Sequence, residues 1–86
     1  MDGKKIAAKI AGNRVIVGAK QIRKALIGGN AVNVFLARNA DPAITEPIEE
    51  LCKTNRVSYA WVKSMTDLGQ ACGIEVGAAA AATLSR

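Results

Sequence analysis

Apolar positions along this 86-residue chain fall into short runs whose spacing switches repeatedly between helical and strand periods. Lys4 to Ala11 sets Ile6, Ala7 and Ile10 on one side and Lys5 and Lys9 opposite, which predicts a short amphipathic helix stopped by Gly12-Asn13. Arg14-Val15-Ile16-Val17 is a compact β-branched run and predicts a buried strand. A second helix opens at Gly18, with Ile22, Ala25 and Leu26 at i, i+3, i+4 facing the core. Gly28-Gly29-Asn30, residues that tolerate positive φ, end it. Ala31 to Ala37 carries Val32, Val34, Phe35 and Leu36 and predicts a second strand buried on both faces.

A polar loop, Arg38 to Pro42, follows. Thr45 is placed to cap a third helix, with Pro47 in its first turn and Ile48, Leu51 and Cys52 as its apolar stripe. Asn55-Arg56 leads to a third strand, Val57 to Trp61. Ser64-x-x-Asp67 is a capping-box variant for a fourth helix that carries Met65, Leu68 and Cys72 and stops at Gly73. The last segment, Gly77 to Leu84, reads two ways. Its alanine run favours helix by propensity, yet residues this small also suit a central strand on which helices press from both sides. Strands and helices alternating on this scale imply an α/β domain with a covered sheet.

Composition narrows the function classes. At 9.0 kDa the chain is one domain's worth. Half its residues are hydrophobic, too many for a disordered chain. Twelve Lys and Arg against seven Asp and Glu give a net charge of +5 and a pI near 9.6, which points to nucleic acid or an anionic membrane surface. Aromatics are only 3%, against recognition by rows of stacked bases. Histidine is absent, so no Ser–His or Cys–His nucleophile exists. Cys52 and Cys72 each fall on an apolar helix face and read as reduced core thiols; a zinc site would want paired ligands. Asp41, Glu46, Glu49, Glu50, Asp67 and Glu75 form no catalytic pair and read as caps and solvated faces. The expectation is therefore no enzyme, no metal and no cofactor. No apolar h-region follows the early lysines, and the apolar tail Val76 to Leu84 is far shorter than the roughly 20 residues a membrane span needs. The chain reads as a soluble, cytoplasmic monomer.

Three constellations carry candidate chemistry. In Gly18-Ala19-Lys20-Gln21-Ile22-Arg23-Lys24, a glycine stands where a strand meets a helix N-terminus, and free N–H groups there favour phosphate. Lys20 and Lys24 share a face at i, i+4, with the Gln21 amide beside Lys24. The bland alternative is an ordinary solvated lysine face. In Gly73-Ile74-Glu75-Val76-Gly77, two branched apolar side chains flank a carboxylate in a glycine-bounded loop that could cradle an extruded base. If that segment is extended, Ile74 and Val76 point to the same side, and simple chain reversal would pack both inward. Arg38-Asn39-Ala40-Asp41-Pro42 reads first as a turn with a helix-cap signal.

Val17 to Leu26, the Ala37 to Pro42 loop and Leu68-Gly69-Gln70-Ala71-Cys72-Gly73-Ile74-Glu75-Val76-Gly77-Ala78-Ala79 together resemble the ribosomal L-seven-Ae/L-thirty-e family, most closely its small bacterial kink-turn-binding branch. The resemblance covers roughly residues 4–84. It implies a three-layer α/β/α sandwich with a mixed four-stranded sheet, forming a single RNA-binding domain over residues 1–86. It implies a non-enzymatic protein, associated with the ribosome, that recognises kink-turn RNA: a sharp bend with sheared G·A pairs and a flipped-out nucleotide. By position, Gly18, Lys20, Gln21 and Lys24 correspond to the family's contacts with those pairs. Arg38 joins them from the matching loop, and Ile74, Glu75 and Val76 correspond to the nucleotide-holding loop. Lys20 and Gln21 stand where Asn and Glu are usual in archaeal and eukaryotic members, and the bacterial branch resembles this chain in both changes. The resemblance also implies that the alanine-rich tail is a strand. The competing expectation is a protein-interaction module, or an accessory factor of an RNA-modifying complex.

Overall fold

A computed structural model describes residues 14–84, so the helix expected over Lys4 to Ala11 lies outside the described residues. The elements are β1 (Arg14–Val17), α1 (Ala19–Ile27), β2 (Ala31–Ala37), α2 (Pro42–Asn55), β3 (Ser58–Val62), α3 (Met65–Ala71) and β4 (Ala80–Leu84). The four strands form one sheet in the order β1-β4-β2-β3. β4 runs antiparallel to both neighbours, and β2 pairs parallel with β3 across the α2 crossover. β1, β2 and β3 therefore share one direction. Their C-terminal ends, together with the start of β4, lie at the same end of the sheet.

Two cores sandwich the sheet. On one face Ile22 and Leu26 of α1 and Ile48 and Cys52 of α2 pack on Val34, Leu36, Ala80 and Ala82. On the other, Leu68 of α3 packs with Phe35, Ala37, Val62 and Ala81. This is the α/β/α arrangement around a mixed four-stranded sheet. The alanine tail is its central strand: Ala80, Ala81 and Ala82 are at most 1% exposed and alternate between the two cores. Alanine's helix propensity is worth a few tenths of a kcal/mol per residue. It yields here because a residue packed between helices on both faces must be small, and pairing on both edges satisfies its backbone.

Local chemistry explains the remaining departures from the sequence pattern. α2 starts three residues before the expected cap. Asp41, not Thr45, is its N-cap: its carboxylate accepts the Ala43 N–H at 2.9 Å, with Pro42 at the first helical position. Thr45 is inside the helix and 3% exposed. Pro47 consequently falls beyond the first turn. At the other end Arg56 adopts a left-handed conformation (φ 56°), and the Val57 N–H donates to the Cys52 carbonyl at 2.9 Å, so β3 begins one residue later than expected. Ser64 caps α3 as the pattern predicted, its Oγ accepting the Asp67 N–H at 3.1 Å. β2 is buried on both faces only from Val34 onward. The register slips between Ala31 and Asn33, leaving Val32 unpaired and 48% exposed.

Candidate nucleic-acid interface

The end of the sheet where three strands finish collects Gly18, Lys20, Arg38 and the 73–77 loop, while Gln21 and Lys24 stand further along α1, toward Asn30 and Leu84 at the opposite end. Val17 pairs with Ala81, so Gly18 stands opposite the first residue of β4. The Ala37 N–H donates to the Ala79 carbonyl at 2.9 Å, which places Arg38 on the other side of β4. Neighbouring strands lie about 4.8 Å apart, so the backbone at Gly18 and Arg38 is separated by about two such spacings, with the exit of the 73–79 segment between them.

At the first corner, Gly18 has φ 118° and ψ 130° and precedes α1 with no side-chain cap. Open space surrounds its missing side chain, so backbone conformation rather than crowding calls for glycine there. The first intrahelical bond runs from the Ile22 N–H to the Gly18 carbonyl at 3.1 Å. The N–H groups of Ala19, Lys20 and Gln21 thus have no partner within the helix. The first turn carries no acidic residue. This corner therefore offers donors, the positive end of the helix dipole and the exposed Lys20 to an anion. Gln21 and Lys24 line one groove of about 280 Å³ between α1 and the β1–β4 edge, floored by Ile16, Ala25 and Leu84. The amide and the ammonium thus share a concave surface, and Lys20 stands in the turn before Lys24.

The second corner is the loop after α3. Gly73, at φ 76°, turns the chain, and the Ile74 N–H donates back to the Gly69 carbonyl at 3.1 Å. Four residues on, the Ala78 N–H donates to the Met65 carbonyl at 3.0 Å. Both ends of the loop are therefore fastened to α3. Gly69 makes the close approach possible, since a side chain there would collide with the Val76 carbonyl. Ile74 and Val76 do not share a side. Ile74 is partly buried against the Phe35–Leu68 core, whereas Val76 is 70% exposed and Glu75 is exposed. The chain bends at Glu75 and Val76, so the alternation of an extended strand does not apply.

Arg38 is exposed at the rim, its backbone N–H held by the Val62 carbonyl at 2.9 Å. Among the described residues, no carboxylate forms an ion pair with Lys20, Lys24 or Arg38. Sequence reasoning missed Lys63, an exposed cation immediately beyond β3 at this same end. Its signal was available only once β3 was known to lie parallel beside β2. The cysteines bring no competing chemistry. Burial pushes the Cys52 thiol up to about 11, with Glu49 adding to the effect, and burial also raises Cys72. Among the described residues no three His, Cys, Asp or Glu side chains gather to hold a metal, and no helix is long and apolar enough to cross a membrane.

Residues 3–86 match the ribosomal protein L7Ae/L30e/S12e/Gadd45 family. An RNA-binding protein of Bacillus pumilus is 44% identical over 70 residues, covering 81% of this chain and 85% of its relative. RNA-binding protein YbxF of Geobacillus stearothermophilus is 41% identical over 71 residues, 83% of this chain and 87% of the relative. Among solved structures, a Giardia lamblia 15.5 kD RNA-binding protein superposes with a TM-score of 0.80 at 28% identity, over 98% of this chain and 68% of that one. A Bacillus halodurans protein of unknown function shares the fold, with a TM-score of 0.77 at 19% identity, over 96% of this chain and 79% of the other.

Proposed function

The chain belongs to the ribosomal protein L7Ae/L30e/S12e/Gadd45 family, and from that membership we propose that it binds RNA, without catalysis, through the loop end of its sheet. The observation that carries the reading is topological. The N-terminus of α1 and the 73–77 loop, more than fifty residues apart in sequence, flank the same strand end. The RNA-binding proteins it resembles support RNA as the ligand, and the matched span supports reading residues 1–86 as one RNA-binding domain.

The preferred RNA in this reading is a kink-turn, for which each corner has a task. The free N–H groups behind Gly18 and the Lys20 ammonium hold the phosphates of the bend. Gln21 and Lys24 read base edges at the sheared G·A pairs. The glutamine amide can both donate and accept, while the lysine donates only. Val76, projecting from the clamped loop, supplies an apolar surface for the flipped-out nucleotide, with Ile74 as the packed base beneath and Glu75 available to accept from the nucleotide's N–H groups. Arg38, and Lys63 beside it, carry positive charge to the flanking backbone. A ribosomal RNA containing such a bend is the natural target this reading favours.

The test is a titration of the protein against a kink-turn duplex and a straight duplex of equal length. At least tenfold tighter binding to the kinked RNA is expected, on the scale of one or two base contacts, each worth roughly 1–3 kcal/mol. Equal, weak binding to both would overturn the reading and favour a protein-interaction role.

A further inference from the structure

We propose that Asn39 is a positioning residue for the nucleotide-holding loop: its side chain, reaching α3 from the loop after β2, sets where residues 74–77 stand. The inference rests on the reading of that loop as the nucleotide cradle.

Asn39 Oδ1 accepts the Met65 N–H at 2.8 Å, across 26 positions of sequence. Met65 is the first residue of α3, so its N–H has no intrahelical acceptor. Ser64 Oγ already serves the Asp67 N–H. A seven-residue helix is thus capped twice, once by its own N-cap and once from a different loop. The local cap helps the helix form. The remote one ties that helix to the end of β2 and therefore to Arg38, the next residue in the chain.

The same Met65 anchors the cradle. Its carbonyl accepts the Ala78 N–H, and Gly77 lies so close that a Cβ there would come within 3.1 Å of the Met65 Cβ. The far end of the loop is fastened to Gly69. Residues 74–77 therefore travel with α3. Whatever moves the start of α3 moves Val76 relative to the N-terminus of α1, the other half of the interface. Asn39 is exposed and makes this contact with one oxygen. Asp retains that acceptor and Ala does not.

The experiment titrates wild type, Asn39→Ala, Asn39→Asp and Val76→Ala against two kink-turn duplexes that differ only in the flipped-out nucleotide. Amide hydrogen exchange at Met65 and Ala78 is followed in parallel. Asn39→Ala is expected to weaken binding to the nucleotide-bearing RNA by about three- to tenfold, the scale of one net hydrogen bond. Its binding to the RNA lacking that nucleotide should stay within about twofold, and exchange at both amides should quicken. Asn39→Asp should restore wild-type discrimination and protection. Equal loss on both RNAs, or no loss on either, would overturn the role of Asn39. If Val76→Ala discriminates between the RNAs and Asn39→Ala does not, the positioning role alone fails. If neither variant discriminates, the cradle reading has failed and takes the positioning role with it.

Discussion

The bend at Glu75 and Val76 separates two neighbouring apolar side chains, one packed and one exposed, and Val76→Ala tests the binding role proposed for the exposed one. The substitution removes two methyl-sized carbons, each worth about 0.8 kcal/mol when fully taken from water. Val76 is 70% exposed in the free protein, so less than a third of that gain is realised on folding. The expected loss of stability is about 0.5 kcal/mol. If a nucleotide covers the exposed remainder, binding should weaken by about 1.1 kcal/mol, or about sixfold in Kd. Ile74→Ala should behave in the opposite way. Its side chain is already packed on the Phe35–Leu68 core, so truncation should cost about 1.5–2.5 kcal/mol of stability and leave little for RNA to add. Denaturant midpoints at constant m-value read the first quantity. Fluorescence anisotropy with labelled kink-turn RNA reads the second, provided the titration is done far below the melting transition. Val76→Ala binding as tightly as wild type, with the flipped-out nucleotide present, would refute the assignment of this loop to the interface. So would a large stability loss from Val76→Ala, because the side chain would then be buried where the structure shows it exposed.

Lys24→Ala should weaken kink-turn binding by about 10–100-fold through loss of a charge-assisted hydrogen bond, with only a small change in Tm at this exposed position; unchanged affinity would remove the α1 groove from the site. The Cys52 thiol, raised from its ordinary 9.0 to about 11 by burial and Glu49, keeps its proton longer in the folded chain than in the unfolded one. Its contribution to stability is therefore full below about pH 9 and is lost as pH rises toward about 11, by up to about 2–3 kcal/mol. Denaturant unfolding of wild type and Cys52→Ala at pH 8 and pH 10.5 checks this: the pH-dependent loss should be smaller in the variant, and identical losses would contradict it.

Where side-chain period and cap chemistry act locally, residues alone were enough to place the elements. Ile22, Ala25 and Leu26 recur at helical spacing and do face the core, and Ser64 does cap α3 through the Asp67 N–H. Glycines mark the ends of α1 and α3 for the same local reason. The basic groups of the candidate interface were legible too, because exposure of a lysine on a short amphipathic helix follows from which residues its other face buries.

Three features went beyond local propensity, two of them settled by tertiary packing and one by cap chemistry at the start of α2. Alanine propensity favours a helix over Gly77 to Leu84 while the family resemblance implies a strand, and packing between two helical layers makes residues 80–84 the central strand. Asp41 and Thr45 are both competent caps; the Asp41 carboxylate on the Ala43 N–H and Pro42 at the first helical position start α2 at Asp41, so Thr45 falls inside the helix. Ile74 and Val76 look equivalent in sequence, yet the clamp on α3 at Gly69 and Met65 buries one and presents the other. Sequence period describes which residues neighbour one another along an element. Which strand ends meet, and therefore that Gly18, Arg38, Lys63 and the 73–77 loop gather on one rim, depends on the order β1-β4-β2-β3. That order is set by long-range pairing, whose entropic cost and packing gain are properties of the whole fold rather than of any local run.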